Sequence, residues 1–198
     1  RDEILRAARR LASRHGYDGM SIGRIAEQAG VAKSTVMHHF ESKQALQAAI
    51  VREPYQALAD ALADASERVS AEDPIAFATR FFEIYATWLA QNPEHARLML
   101  RLQRDDPERT QAGAKRYWRR ISRDVLQAMA AGQAAGQIDS DLDLRLFLFH
   151  RCNGALHFYA TLDLQRHWIS AGRPLSAAEA SARFQSEFLR EIGVRLRG

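Results

Sequence analysis

The sequence predicts an all-α fold. Apolar residues recur at i, i+3, i+4 spacing along most of the chain, segments alternating with period two are few, and the breaks between stripes carry helix-start chemistry. Ile4, Leu5, Ala8, Leu11 and Ala12 form the first stripe, with Arg6, Arg9, Arg10 and Arg14 elsewhere around that helix and Gly16 placed to stop it. A pair of short helices is predicted between Ser21 and Phe40, followed by a long one that begins at Ser42-Lys43, runs through Leu46 and Ile50, and meets a kink or break at Pro54. Asp73-Pro74, Asn92-Pro93 and Asp106-Pro107 each put a capping side chain before a proline at the first helical position, so three more helices start there. Gly132 and Gly136 loosen the chain after the third. A helix from about Asp141 to Leu164 is apolar on nearly every side and is expected to be buried. Gly172 and Pro174 mark a loop, and Ser176 with Glu179 reads as a capping box opening a last helix that carries Phe184, Phe188, Leu189 and Ile192.

With 198 residues, 46% of them hydrophobic, the chain has enough apolar material for a core. No stretch approaches the roughly 18 consecutive apolar residues of a membrane span, and the basic start lacks the apolar run of a signal peptide, so a cytoplasmic address with no membrane partner is expected. The single cysteine, Cys152, allows neither an internal disulfide nor a cysteine-rich zinc site. Net charge is +4, and its distribution is informative: residues 1–52 hold 9 Lys/Arg against 5 Asp/Glu, while residues 53–198 hold 19 of each sign. A basic head on a neutral body is the pattern of a polyanion binder, because phosphate neutralisation supplies most nonspecific nucleic-acid affinity. The division is drawn at 1–48 for a DNA-binding domain and 49–198 for a ligand-binding and dimerisation domain.

From Ser21 to Phe40 the chain reads SIGRIAEQAGVAKSTVMHHF. Ser21 caps a short helix whose inner side is Ile22, Ile25, Ala26 and Ala29; Ala26 is small where a second helix crosses, and Gly30 permits a tight turn. Val31, Val36 and Phe40 anchor the second helix. With Val36 at the centre of its buried side, a 100° step per residue turns Ser34 and His38 outward, flanked by Thr35 and Met37. Recognition helices read base edges mostly from their N-terminal part, which makes Lys33, Ser34 and Met37 the base-contact candidates. Thr35, His38 and His39 suit phosphate or mixed contacts, Ser21 and Arg24 flank the same surface, and Lys43 with the free N–H groups of its helix start suits a phosphate. The plain alternatives are a helical hairpin inside a core and surface histidines without a role; metal binding by adjacent histidines is disfavoured by their 100° divergence.

These residues, Ile4 to Gly16, Ser21 to Gly30, Val31 to Phe40, and Ser42-Lys43 followed by Leu46, make the first fifty or so residues resemble the DNA-binding domain of the tetracycline-repressor (TetR) family. The resemblance implies an all-helical homodimer, a ligand pocket in the body, and repression relieved by a small molecule. Met37 stands where the family commonly has a DNA-contacting tyrosine, and His38 where an aromatic residue is frequent.

In the body, Tyr85, Trp88, Met99, Tyr117, Trp118 and Phe149 are the candidates to line an apolar effector pocket, although aromatics at helical spacing also serve as plain core. His150, Asn153, Gly154 and His157 share one helix face; Asn153 and His157 are entered as ligand contacts, with a core or dimer-interface role as the competing reading. Arg116, Arg119, Arg120 and Arg123 make a basic face that is either simply solvated or a site for an anionic ligand. The last two helices are assigned to the homodimer contact. The expected partners are therefore double-stranded operator DNA, a second copy of the chain and a small-molecule effector, with no cofactor and no metal. An enzyme carrying a borrowed DNA-binding head finds no support in a nucleophile elbow, a His-Glu-x-x-His motif or a phosphate loop, and a sequence-indifferent architectural DNA binder is the third reading.

Overall fold

Ten helices appear in the computed structural model, which describes residues 1–16, 19–66, 73–105 and 107–197, and among those residues no strand occurs. In order they are α1 (Asp2–His15), α2 (Ile22–Ala29), α3 (Lys33–His39), α4 (Lys43–Ser66), α5 (Pro74–Gln91), α6 (Pro93–Asp105), α7 (Pro107–Ala134), α8 (Leu144–Ala160), α9 (Leu162–Trp168) and α10 (Ala177–Arg197). The predicted stripe of α1 is its buried face, and Gly16 ends the helix at φ 69° with its N–H on the Ala12 carbonyl. At α5, the Asp73 side chain accepts from Ala76 N at 2.9 Å behind Pro74. The Ser176–Glu179 box closes both ways at the start of α10, Ser176 N donating to Glu179 Oε2 at 2.7 Å and Glu179 N to Ser176 Oγ at 3.2 Å. Hydrogen bonds from Arg173 and from Ser176 lower the Glu179 carboxyl to about 2.

Several boundaries differ from the expectation. α4 runs unbroken past Pro54 to Ser66, because the helix is held on both sides by packing on α1, α5 and α7. Asn92 caps backward: its Nδ2 donates to the Trp88 carbonyl at 2.8 Å, closing α5 rather than opening α6. The cap assigned to Asp106 lies outside the described residues. Gly132 does not loosen α7. It sits inside the helix, where a Cβ would stand 2.8 Å from Pro74 Cγ and 2.9 Å from Ile138 Cδ1, and its lack of a side chain lets those residues pack. The helix predicted over 141–164 starts later, with Asp143 as cap, and breaks at Thr161, whose hydroxyl donates to the His157 carbonyl at 2.7 Å. Nor is α8 buried all round: Phe147, Leu148, Cys152, Ala155 and Tyr159 face the core, while Leu146 and Phe149 are 54% and 56% exposed.

One contiguous apolar cluster links head and body, with α4 passing from one to the other. In the head it joins Ile4, Ala8 and Leu11 to Met20, Ile25, Val36, Phe40 and Leu46. In the body an aromatic group ties α5, α8 and α10 together. Phe82 meets Phe147 and Phe188 edge to face at 5.8 and 5.9 Å, and Phe158 stacks on Phe184 at 4.0 Å.

Candidate functional site

Two places in this scaffold combine exposed chemistry with rigid support, the α2–α3 surface of the head and a cavity in the body. In the head, Ser21 Oγ accepts from Arg24 N at 3.2 Å and opens α2. Gly30 closes α2 at φ 65°, ψ 33°; its N–H reaches the Glu27 carbonyl and that of Val31 the Ala26 carbonyl, a reversal that a left-handed residue makes at low cost. Ile25, Ala26, Val36 and Phe40 are buried in one cluster with residues of α1 and α4, and α2 packs on both α1 and α3, so the angle between α2 and α3 is set by packing.

That packing turns Lys33, Ser34, His38 and His39 outward, with Met37 43% exposed and Thr35 half-buried. Lys33 does not stand off the surface. Its Nζ lies 3.5 Å from where a Cβ on Gly23 would be, so the ammonium rests over the N-terminal turn of α2. Arg24 folds the other way, Nη1 donating to the Gly19 carbonyl at 2.8 Å. Lys43 is half-buried in the first turn of α4, where Ser42 Oγ accepts from Ala45 N at 3.0 Å. Lysines beside the positive ends of two helices leave this face without local neutralisation, which is the electrostatic condition for holding phosphates.

A buried polar node joins head to body. Arg9 of α1, 9% exposed, donates from Nη1 to Glu53 Oε1 on α4 at 2.8 Å and to His95 Nε2 on α6 at 2.6 Å. The guanidinium has no lone pair to accept with, so Nε2 is the acceptor and His95 is neutral. Burial, and secondarily the Arg9 charge, lower its pKa to about 4. The ring also stacks on Trp88 at 5.4 Å. A second tie lies one end further along: Arg101 Nη1 of α6 donates to the carbonyls of Ser13 and Arg14 at 3.3 and 3.1 Å, capping the C-terminus of α1. Neither tie was singled out from the sequence, because each pairs residues more than forty positions apart.

The body cavity, of about 470 Å³, lies among α4 to α8. Tyr55 and Leu58 come from α4, Tyr85 from α5, Met99 and Gln103 from α6, Pro107, Ala114, Lys115 and Trp118 from α7, and Phe149, Cys152, Asn153 and Leu156 from α8. Of the residues expected to line a pocket, Tyr85, Met99, Trp118, Phe149 and Asn153 meet here. Three do not: Trp88 is taken up by its stack on His95, Tyr117 packs half-buried against the core on another side of α7, and His157 points outward from α8. Burial raises the Tyr85 phenol well above its ordinary pKa and pushes the Cys152 thiol up, so the wall presents a neutral hydroxyl and an unreactive thiol. Gln103, Lys115 and Tyr55 were not anticipated; Lys115, the one lysine after residue 43 in an arginine-rich chain, carried the only compositional signal.

The outward face of α8 carries His150, Gly154 and His157 beside Leu146 and Phe149, and Asn153 Nδ2 donates to the Phe149 carbonyl at 2.8 Å. Leu164 and Trp168 on α9 and Val194 on α10 are also exposed, Trp168 by 71%. On α7, Arg116, Arg119, Arg120 and Arg123 all face solvent; Arg120 meets Asp60 at 3.5 Å and Arg123 meets Asp124 at 2.8 Å. Arg120 and Arg123 are among the residues lining a second, smaller cavity of about 210 Å³. No helix among the described residues is long and apolar enough to cross a membrane.

Residues 4–50 match the family model described as bacterial regulatory proteins, tetR family. The HTH-type transcriptional repressor AcnR of Corynebacterium diphtheriae is 27% identical over 148 residues, covering 73% of this chain and 70% of that protein. The protein of the same name from Corynebacterium efficiens is 36% identical over 64 residues, but the match covers 32% of this chain and only 34% of the relative. Among solved structures, the transcriptional regulator FadR from Bacillus subtilis, in complex with stearoyl-CoA, superposes with a TM-score of 0.74 at 17% identity, covering 98% of each chain. At that identity the likeness is one of fold.

Proposed function

We propose that the chain, whose residues 4–50 match the tetR family of bacterial regulatory proteins, is a repressor that binds a palindromic operator as a homodimer and lets go when a small amphipathic effector fills the body cavity. The observation that carries the reading is the double role of α6. The same helix supplies Met99 and Gln103 to the cavity wall and His95 and Arg101 to α1. An effector that displaces α6 therefore acts on the head through two hydrogen-bonded ties. Such a ligand induces only if it favours the DNA-incompetent arrangement by its own differential affinity.

The curated relatives bear the name repressor, which supports the sign of regulation, and the acyl-CoA bound to FadR supports an amphipathic effector for this fold. Dimerisation is assigned to the outward faces of α8 and α10, where Leu146, Phe149 and Val194 leave apolar area that a lone subunit would expose to water. In such a dimer the two α3 helices enter successive major grooves about one helical turn apart, or a multiple of it. A DNA target of this kind puts the working protein in the cytoplasm. Met37 and Ser34 are proposed to meet base edges, with Thr35, His38, His39 and Lys43 on the backbone and Ser21 and Arg24 at the flank. Lys33, resting over the start of α2, swings outward to reach a base.

Selection of bound sequences from a random duplex pool tests the reading. The expected result is a palindromic consensus, changed at one position in each half-site by Lys33→Ala. Binding without any enrichment would instead identify an architectural protein, for which each base change costs far less than the roughly 1–3 kcal/mol of a specific reader.

A further inference from the structure

Resting on the effector reading of the body cavity, we propose that the ligand is an amphipathic carboxylate: an apolar body of about ten carbons seated between Tyr85, Met99 and Trp118, with a single negative head group held by Lys115. The cavity of about 470 Å³ has room for on the order of 10–15 heavy atoms at ~30 Å³ each. Among the described residues its lining contains neither Asp nor Glu and one cation, Lys115. Two arginines of the same helix have partners elsewhere, Arg120 in Asp60 and Arg123 in Asp124, whereas Lys115 is in none of the described ion pairs. Lys115 lies on the turn that also brings Ala114 and Trp118 to the wall.

The sign of the ligand follows from this wall. A cationic ligand would meet a like charge and no acid among the described lining residues. A neutral ligand would fill the apolar part but leave the ammonium unused. The helix ends at the rim do not alter the balance, because α6 ends at Asp105 just where α7 begins at Pro107 and their opposite dipole charges offset each other. One lysine matches one carboxylate; a phosphate dianion would leave about one charge uncompensated in a site whose other polar groups, Tyr55, Gln103 and Asn153, are neutral.

The test uses the fluorescence of Trp118 in the full chain, with Trp118→Phe identifying the contributions of Trp88 and Trp168. Decanoate, decanol, decylamine and decyl phosphate are titrated into the wild type and into Lys115→Met, which keeps an apolar stem of similar length on an exposed position. The expected result is decanoate binding about tenfold to a hundredfold more tightly than decanol, the range of a charge-assisted hydrogen bond, with decylamine weakest. Lys115→Met should bring decanoate down to decanol and leave decanol unchanged. Equal or tighter binding of decanol by the wild type overturns the carboxylate while leaving the cavity as the effector site, and tighter binding of decyl phosphate replaces the carboxylate by a dianion. If none of the four changes the Trp118 signal, the effector reading of the cavity fails and this proposal with it.

Discussion

Replacing Arg9 by methionine strikes the junction of head and body at one point. Methionine keeps much of the apolar contact of the arginine stem but removes the charge and both hydrogen bonds, to Glu53 on α4 and His95 on α6. Stranding the partner of a fully buried ion pair costs about 3–5 kcal/mol. The Glu53 side chain is 32% exposed, so its carboxylate keeps part of its hydration and the loss is placed lower, at about 2–3 kcal/mol. For a chain of 198 residues that is a fall in melting midpoint of roughly 4–12 °C. Arg9 Nε and Glu53 Oε2 meet no partner in the protein, so the pair is incompletely satisfied, and Arg9→Met/Glu53→Met is expected to return within about 1 kcal/mol of the wild type. Urea denaturation at fixed protomer concentration reads the global loss, while Trp88, stacked on His95, reports the junction itself. Operator affinity measured in parallel should fall with the single variant, because α1 carries the recognition pair. A single variant within about 0.5 kcal/mol of the wild type, or a double variant as unstable as the single one, would refute the coupling.

Three further outcomes are expected. His95 titrates near 4 in the folded protein and at about 6.5 unfolded, so between these values the unfolded state binds more protons; the stability it confers is present above about pH 6.5 and is lost as pH falls through 4. Discounted for the partial exposure of the ring, the loss is about 1–2 kcal/mol, and denaturation at pH 7.5 and 4.5 should show it shrinking in His95→Gln, which retains an acceptor. Lys43→Ala should weaken binding to all DNA sequences alike and lower the salt slope by about 0.9 per half-site; an unchanged slope would remove the phosphate contact. Gly30→Ala should cost about 1–2 kcal/mol in thermal or urea unfolding even though a Cβ there meets nothing within 4 Å, because the penalty lies in the left-handed backbone; Gly30→Asn should recover part of it.

The head was legible in the sequence because its interactions are local. Ser21 caps three residues ahead, Gly30 reverses the chain between α2 and α3, and Val36 centres the buried side of α3, with Val31 before the helix and Phe40 at its end packed on the same core. Three kinds of feature in the body were not. Pro54, Gly132 and Asn92 were assigned by local rule to a break, a loosening and a forward cap, and in each case contacts with a neighbouring helix or the preceding turn prevailed. The apolar character of α8 was read as burial, but nothing in a sequence distinguishes a face turned to the core from one left exposed, as Leu146 and Phe149 are.

What the sequence by itself determined is the all-helical class, the α2–α3 pair and its outward residues, and the concentration of positive charge in the first quarter of the chain. These rest on periodicity, capping and counting. Only the tertiary structure decided which residues share the cavity, since Tyr55, Met99, Lys115 and Asn153 come from four different helices and meet through crossing angles set by side-chain packing. It also decided that α6 touches both the cavity and α1, because hydrogen bonds from Arg9 to His95 and from Arg101 to Ser13 span more than eighty residues of chain, beyond the reach of any local pattern.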